Sequence, residues 1–232
     1  MSLINKVAAI IDNQQSLDSI GYLANKVNYD DGLATLDISI KDIVPPPPTN
    51  TSAVTERELN QISRMTKSRT YPEINLIYTV DKEPLDLFRN FLKTKNLSFP
   101  QYKFDSYYNI IEQYMYALKY YHNRARPDQI APYYNLEIDV LFTDTHHTPA
   151  YPSGHTMYSE LAAHVLTDMY PEHKDKFFEL SNYCGLARIL QGVHYPSDND
   201  ASKIAIDKLY KLTKGLEDER AKKNPINITR KT

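Results

Sequence analysis

Hydrophobic positions along this chain recur mainly at three- and four-residue spacing, the period of an amphipathic helix. Over 105–123, Tyr108, Ile111, Tyr114 or Met115, and Leu118 share one face. Residues 156–170 and 172–191 carry the pattern most strongly. Leu161, Val165 and Met169 form the stripe of the first; Phe177, Leu180, Cys184 and Ile189 or Leu190 form that of the second. Helices are also predicted over the charged stretch 53–69, over 82–95 with Leu85, Phe88, Phe91 and Leu92 on one face, and over 198–214. Residues 1–12 read as an amphipathic surface helix, because Asn5 and Lys6 interrupt the apolar run, and 33–43 alternates only weakly.

Proline marks the breaks. Pro45 to Pro48 is a stiff extended segment that serves as a linker or a strap over the surface. Residues 123–132 must leave the helix, because the residue before Pro127 is pushed out of the α region. Helices joined by proline-containing loops, with no run of well-formed strands and no internal repeat, predict an all-α, single-domain helical bundle. Its parts are an N-terminal helical segment (1–44), a helical domain (45–214) and a charged, frayed tail (215–232).

Composition narrows the partners. In 232 residues there are 27 Lys and Arg against 29 Asp and Glu, a net charge of −2, which excludes a basic nucleic-acid binder as the default reading. Cys184 is the only cysteine, so an internal disulfide and a Cys-rich zinc site are both excluded. No window approaches the roughly 20 apolar residues that span a bilayer, and mean hydropathy is −0.54. The start lacks a signal-peptide pattern. The expectation is a soluble, cytoplasmic protein without membrane insertion, or a periplasmic one if an export signal has been removed.

Three short segments at predicted helix ends concentrate the polar chemistry: Lys119 to Pro127, Pro152-Ser153-Gly154-His155-Thr156, and Arg188 to Asp198. A helix start is an anion site, and glycine there permits close approach, which suits Ser153 and Gly154. Lys119, Arg126 and Arg188 add one compact and two bidentate positive charges, a set suited to phosphate oxygens. His155 and His194 can divide phosphoester cleavage, one attacking phosphorus and one protonating the leaving oxygen. An imidazole nucleophile needs an acceptor on its other nitrogen, and Asp198 stands four residues beyond His194.

In order, the segments read Lys-x6-Arg-Pro, Pro-Ser-Gly-His and Arg-x5-His-x3-Asp. This resembles the three-part signature of the type 2 phosphatidic acid phosphatase and vanadium haloperoxidase superfamily. Residues 151–156, 161–163 and 185–198, together with the Pro45 to Pro48 run, look like the bacterial class A non-specific acid phosphatases; the good match covers 115–205. The resemblance implies a helical bundle of the acid phosphatase and vanadium haloperoxidase type, hydrolysis of small phosphate monoesters without metal or other cofactor, and a phosphohistidine intermediate. By that resemblance His194 is the nucleophile, Asp198 its orienting carboxylate and His155 the general acid. Lys119, Arg126, Arg188 and the N–H groups of Ser153 and Gly154 hold the phosphoryl oxygens. With both histidines at the reference pKa of about 6.5, a bell-shaped rate profile with an acidic to near-neutral optimum is expected. A vanadate-dependent haloperoxidase and a non-catalytic phosphate-binding relative are the alternatives.

Two positions depart from the pattern. Ala187 replaces the usual serine before the Arg of the third segment, and Asp128 stands where class A enzymes carry an aromatic; a carboxylate there can repel substrate, pair with Arg126 or face water. Elsewhere, His146 and His147 read as a surface loop, because adjacent histidines point apart and no third ligand stands at metal spacing. His122, His164 and His173 read as structural or solvated. The aromatic-rich helices leave enough apolar surface for a homodimer.

Overall fold

The structure, a computed structural model, describes residues 17–22 and 36–223. The helix expected over 1–12 and the start of the 33–43 alternation lie outside the described residues. Eight α-helices are present among those described, with no β-strand and one isolated antiparallel bridge between Gly21 and Arg124. They are α1 (Ala53–Lys67), α2 (Tyr71–Lys82), α3 (Asp86–Thr94), α4 (Gln101–His122), α5 (Pro127–Ile130), α6 (Gly154–Met169), α7 (Lys174–Leu190) and α8 (Pro196–Lys223).

Local chemistry sets their limits. Ser52 caps α1 by accepting the Thr55 N–H at 3.2 Å. Glu73 reaches back to the Thr70 N–H at 2.6 Å, and Pro72 occupies the first turn of α2. Asn123, in the left-handed region at φ 45°, ends α4. After it the chain leaves the helix as expected, then re-enters briefly at α5, where Pro127 sits at the first position.

The centre of the bundle is α6, packed against α7, α8 and α4. Its Leu161, Ala162, Ala163 and Val165 are fully buried beside Phe177 and Cys184 of α7 and Ile206 and Leu209 of α8. Gly185 makes the junction of these helices possible, because a Cβ there would stand 3.0 Å from the Asn199 side chain. Asn199 donates to the Gly185 carbonyl at 2.9 Å and accepts from Thr156 Oγ1 at 2.7 Å. One buried amide thus pins the first turn of α8 to α7 and to the first turn of α6. Pro45 to Pro48 lies extended over the surface, and the Tyr151 hydroxyl donates to the Pro45 carbonyl at 2.6 Å.

Three expectations change. Helix α2 has no counterpart in the hydrophobic pattern read above; it buries only Ile77 and Val80. Met169 does not continue the Leu161 stripe but is 42% exposed at the end of α6. The last helix does not stop at 214: α8 runs to Lys223, because Leu212 and Leu216 keep packing against the core and Ser106 donates to Glu217 at 3.2 Å. The roughly 1 kcal/mol that a mid-helix glycine costs does not end it at Gly215.

Gly192 closes α7 at φ 87°, and a Cβ there would meet Ile138 at 2.8 Å. Gly192→Ala should lower unfolding free energy by about 1–2 kcal/mol in a urea titration.

Candidate active site

Helix ends bring the polar segments together. The C-terminal end of α4 supplies Lys119, the loop to α5 supplies Arg124 and Arg126, and the N-terminus of α6 supplies Gly154 and His155. Arg188 comes from the last turn of α7, and His194 and Asp198 flank the start of α8. A cavity of about 510 Å³ opens here, with Lys119, Arg126, Gly154, His155 and His194 at its charged end.

His194 is held from both sides. Its Nδ1 lies 3.0 Å from Asp198 Oδ2, and the same oxygen accepts the Tyr195 N–H at 2.9 Å. With a carboxylate as partner, Nδ1 carries the proton and Nε2 presents its lone pair. Nε2 faces Arg126 Nη1 at 3.0 Å. Arg126 also donates to the Thr148 carbonyl at 2.9 Å and the Val193 carbonyl at 2.8 Å, and Lys119 Nζ donates to the Pro149 carbonyl at 2.8 Å. The direct hydrogen-bond partners of Lys119 and Arg126 among the described residues are therefore all neutral.

Arg188 is placed differently. Its Nη1 meets Asp81 Oδ1 and Gln191 Oε1, both at 2.5 Å, and its Nη2 donates to Thr145 Oγ1 at 2.8 Å. Asp81, on the last turn of α2, also hydrogen-bonds through its backbone to the His155 ring.

Ionisation follows from burial among cations. Burial, then the charges of Arg126, Lys119 and Arg188, hold His194 well below the ordinary histidine range. Burial and the Arg188 guanidinium push His155 down to about 3. Lys119 is lowered by burial and by Arg126, and Arg126 falls to about 10 by burial, with Arg188 adding repulsion. Burial pushes the Asp198 carboxyl up, and Arg124 pulls it back. The reference value near ~6.5 expected for both histidines is thus replaced: the protein's own groups keep the two rings neutral.

The Ser153 amide does not point where expected. Ser153 is fully buried, and its N–H donates to the Asp198 carbonyl at 3.3 Å while its Oγ lies in hydrogen-bond contact with Thr156 Oγ1 at 3.0 Å. It ties α6 to α8 and leaves Gly154 and His155, whose first-turn N–H groups have no intrahelical acceptor, facing the cavity.

Sequence reasoning missed Arg124, Glu58 and Asp81. Arg124 Nη1 donates to Asp198 Oδ1 at 2.6 Å and to Ser197 Oγ at 2.8 Å, its Nη2 stands 3.3 Å from Glu58 Oε2, and its guanidinium lies 3.8 Å from the Tyr195 ring centroid. Glu58 in turn accepts the Ser197 N–H at 2.7 Å. The signal for Arg124 was available, since it lies inside the Lys119 to Arg126 segment. Glu58 and Asp81 look like ordinary surface-helix charges in the sequence.

Asp128 does not pair with Arg126; it stands 3.3 Å from His146 Nε2. His147 lines the cavity mouth. No group of three or more His, Cys, Asp or Glu among the described residues is placed to hold a metal ion. Ala187 is packed into the core, and burial pushes the Cys184 thiol up to about 12. Burial takes His122 down to about 4, with its ring edge-on to Tyr151.

Residues 107–205 of the chain match the PAP2 superfamily. Curated proteins similar to it include a non-specific acid phosphatase of Providencia stuartii, 40% identical over 55 residues, which is 24% of this chain and 22% of that protein. Another is the non-specific acid phosphatase of Salmonella typhi, 41% identical over 54 residues, covering 23% of this chain and 22% of the relative. The matched stretch thus spans about a fifth of the length of these relatives. Among solved structures, a transmembrane PAP2-type phosphatidylglycerolphosphate phosphatase from Bacillus subtilis shares the fold. Its TM-score is 0.50 at 16% identity, covering 73% of this chain and 89% of that one. No helix among the described residues here is long and apolar enough to cross a membrane.

Proposed function

We propose that the protein is an acid phosphatase that hydrolyses small phosphate monoesters through a phosphohistidine on His194, without a metal ion. The observation that carries this reading is the charge imbalance: among the described residues, Lys119 and Arg126, both buried, hydrogen-bond only to neutral groups, beside a neutral His194 whose Nδ1 is held by Asp198. A dianionic phosphoryl group supplies what these cations lack.

On this reading the phosphoryl oxygens lie against Lys119, Arg126, Arg188 and the Gly154 and His155 amides. Arg126 Nη1 transfers its hydrogen bond from His194 Nε2 to a phosphoryl oxygen. Nε2 then attacks phosphorus as the ester P–O bond breaks, and protonated His155 gives its proton to the departing oxygen. Asp198 stabilises the positive charge that develops on the His194 ring. In the second half, neutral His155 takes a proton from water, the water oxygen attacks phosphorus, and the N–P bond breaks to return His194.

The test is turnover of 4-nitrophenyl phosphate in excess chelator, with label from 32P-substrate appearing on the protein as an alkali-stable, acid-labile adduct. Turnover that requires an added divalent ion overturns the metal-free mechanism.

Proton traffic gives a second check. Burial, and then the Arg188 and Lys119 charges, hold His155 neutral, so a bound dianion, by adding negative charge beside it, raises its pKa and draws a proton from solution. Sulfate, which stays a dianion at neutral and mildly acidic pH, should therefore bind with net proton uptake. The slope of calorimetric enthalpy against buffer ionisation enthalpy reads this; proton release would have the wrong sign.

A further inference from the structure

The cavity is larger than a phosphate, and its far wall has a distinct chemistry. Moving away from the charged end, α4 presents Met115 and Tyr116 one turn before Lys119, then Tyr108. On α6, Tyr158 follows His155 by one turn, and all of these line the cavity. The two helices lie close: a Cβ on Gly154 would stand 3.0 Å from Met115 Sδ and 3.7 Å from Lys119 Cε. The Tyr108 and Tyr158 rings meet edge to face at 4.7 Å. Phe104 backs both, at 5.8 Å from Tyr108 and 4.9 Å from Tyr158. The Tyr108 hydroxyl is tied to Glu112 Oε1 at 2.9 Å. The wall is therefore fixed in position by packing behind it.

We propose that this tyrosine wall is a leaving-group subsite and that it selects phosphomonoesters whose leaving group is a planar aromatic ring; the proposal rests on the phosphatase reading above. The oxygen that His155 protonates must lie beside its ring, and the group bonded to that oxygen extends toward the next turn of α6, where Tyr158 stands. Ring faces and edges there reward an aromatic partner.

Binding of phosphonates, which cannot be hydrolysed, tests the subsite apart from turnover. By calorimetry, phenylphosphonate should bind the wild-type protein about tenfold more tightly than methylphosphonate, and more tightly than cyclohexylphosphonate of matched size. In Tyr158→Leu and in Tyr116→Leu that preference should fall to roughly twofold, with methylphosphonate affinity kept; the retained affinity also reports that each variant folds. Equal affinity of the phenyl and cyclohexyl compounds, or a preference unchanged in both variants, overturns the subsite and leaves the phosphatase reading intact. Failure of methylphosphonate to bind the wild-type protein overturns that reading and the subsite with it.

Discussion

His194→Ala should reduce hydrolysis of 4-nitrophenyl phosphate by about 10⁴-fold or more, and protein-bound phosphate should disappear with it. Asp198 holds the Nδ1 of this ring at 3.0 Å, which leaves the Nε2 lone pair toward the charged end. No neighbour replaces it: Lys119 and Arg126 are cations, and His155 is engaged with the Asp81 backbone. His155→Ala should behave differently. Loss of a general acid costs about 10²–10⁴-fold with an alkyl leaving group, but much less with nitrophenolate, which departs without a proton. The pair of variants on the pair of substrates, read as kcat, separates the roles of the two histidines. A His155→Ala defect equally large on both substrates would remove the general-acid assignment.

Arg124→Met should have the largest effect on stability, about 3–5 kcal/mol by urea denaturation at neutral pH. The side chain is buried between two buried carboxylates, Asp198 at 2.6 Å and Glu58 at 3.3 Å, so its removal leaves both charges without their counterion. The sign of the pH dependence follows. Burial already pushes the Asp198 carboxyl up, and Arg124 is the foremost group pulling it back. In the variant its folded pKa rises further above the unfolded value of about 3.9, so the folded state binds the proton more readily than the unfolded chain. The deficit relative to wild type is therefore greatest at neutral pH and shrinks on acidification. Activity should move in the same sense, because a protonated Asp198 no longer fixes the His194 tautomer, and the acidic limb of kcat shifts upward. Arg124→Lys should recover part of the stability but not the double contact with Asp198 and Glu58. A deficit independent of pH would mean that lost packing on Tyr195, at 3.8 Å, dominates instead.

The sequence was most readable where periodicity and punctuation agreed. Helices α4, α6 and α7 have wide apolar stripes, and Asn123, Pro152 and Gly192 mark their ends, so the helix-end location of Lys119, His155 and Arg188 followed from local pattern alone. Helix α2 was not read because Ile74, Leu76, Ile77, Tyr78 and Val80 are spread around the helix instead of forming one stripe, and only Ile77 and Val80 are buried; the Thr70 and Glu73 capping signal and Pro72 were its clearest marks. That loss carried Asp81 with it, and no spacing rule links Asp81 to Arg188, 107 residues away. The direction of the Ser153 amide depended on where the Asp198 carbonyl stands, a tertiary fact. The ionisation of His155 was misjudged for a related reason: reference values describe a ring in water, and this one is buried against Arg188.

The positions of Glu58 and Asp81 bear on how far this protein can be dissected. The superfamily match runs from 107 to 205 and contains every histidine, lysine and arginine assigned above to phosphate chemistry. Yet Glu58, which shares Arg124 with Asp198, and Asp81, which pairs with Arg188, come from α1 and α2, ahead of that stretch. A fragment cut at the match would keep the reactive groups and lose two of their counterions, leaving mutually repelling guanidinium groups in a low-dielectric interior. The functional unit is therefore longer than the recognisable motif, and its amino-terminal boundary is electrostatic.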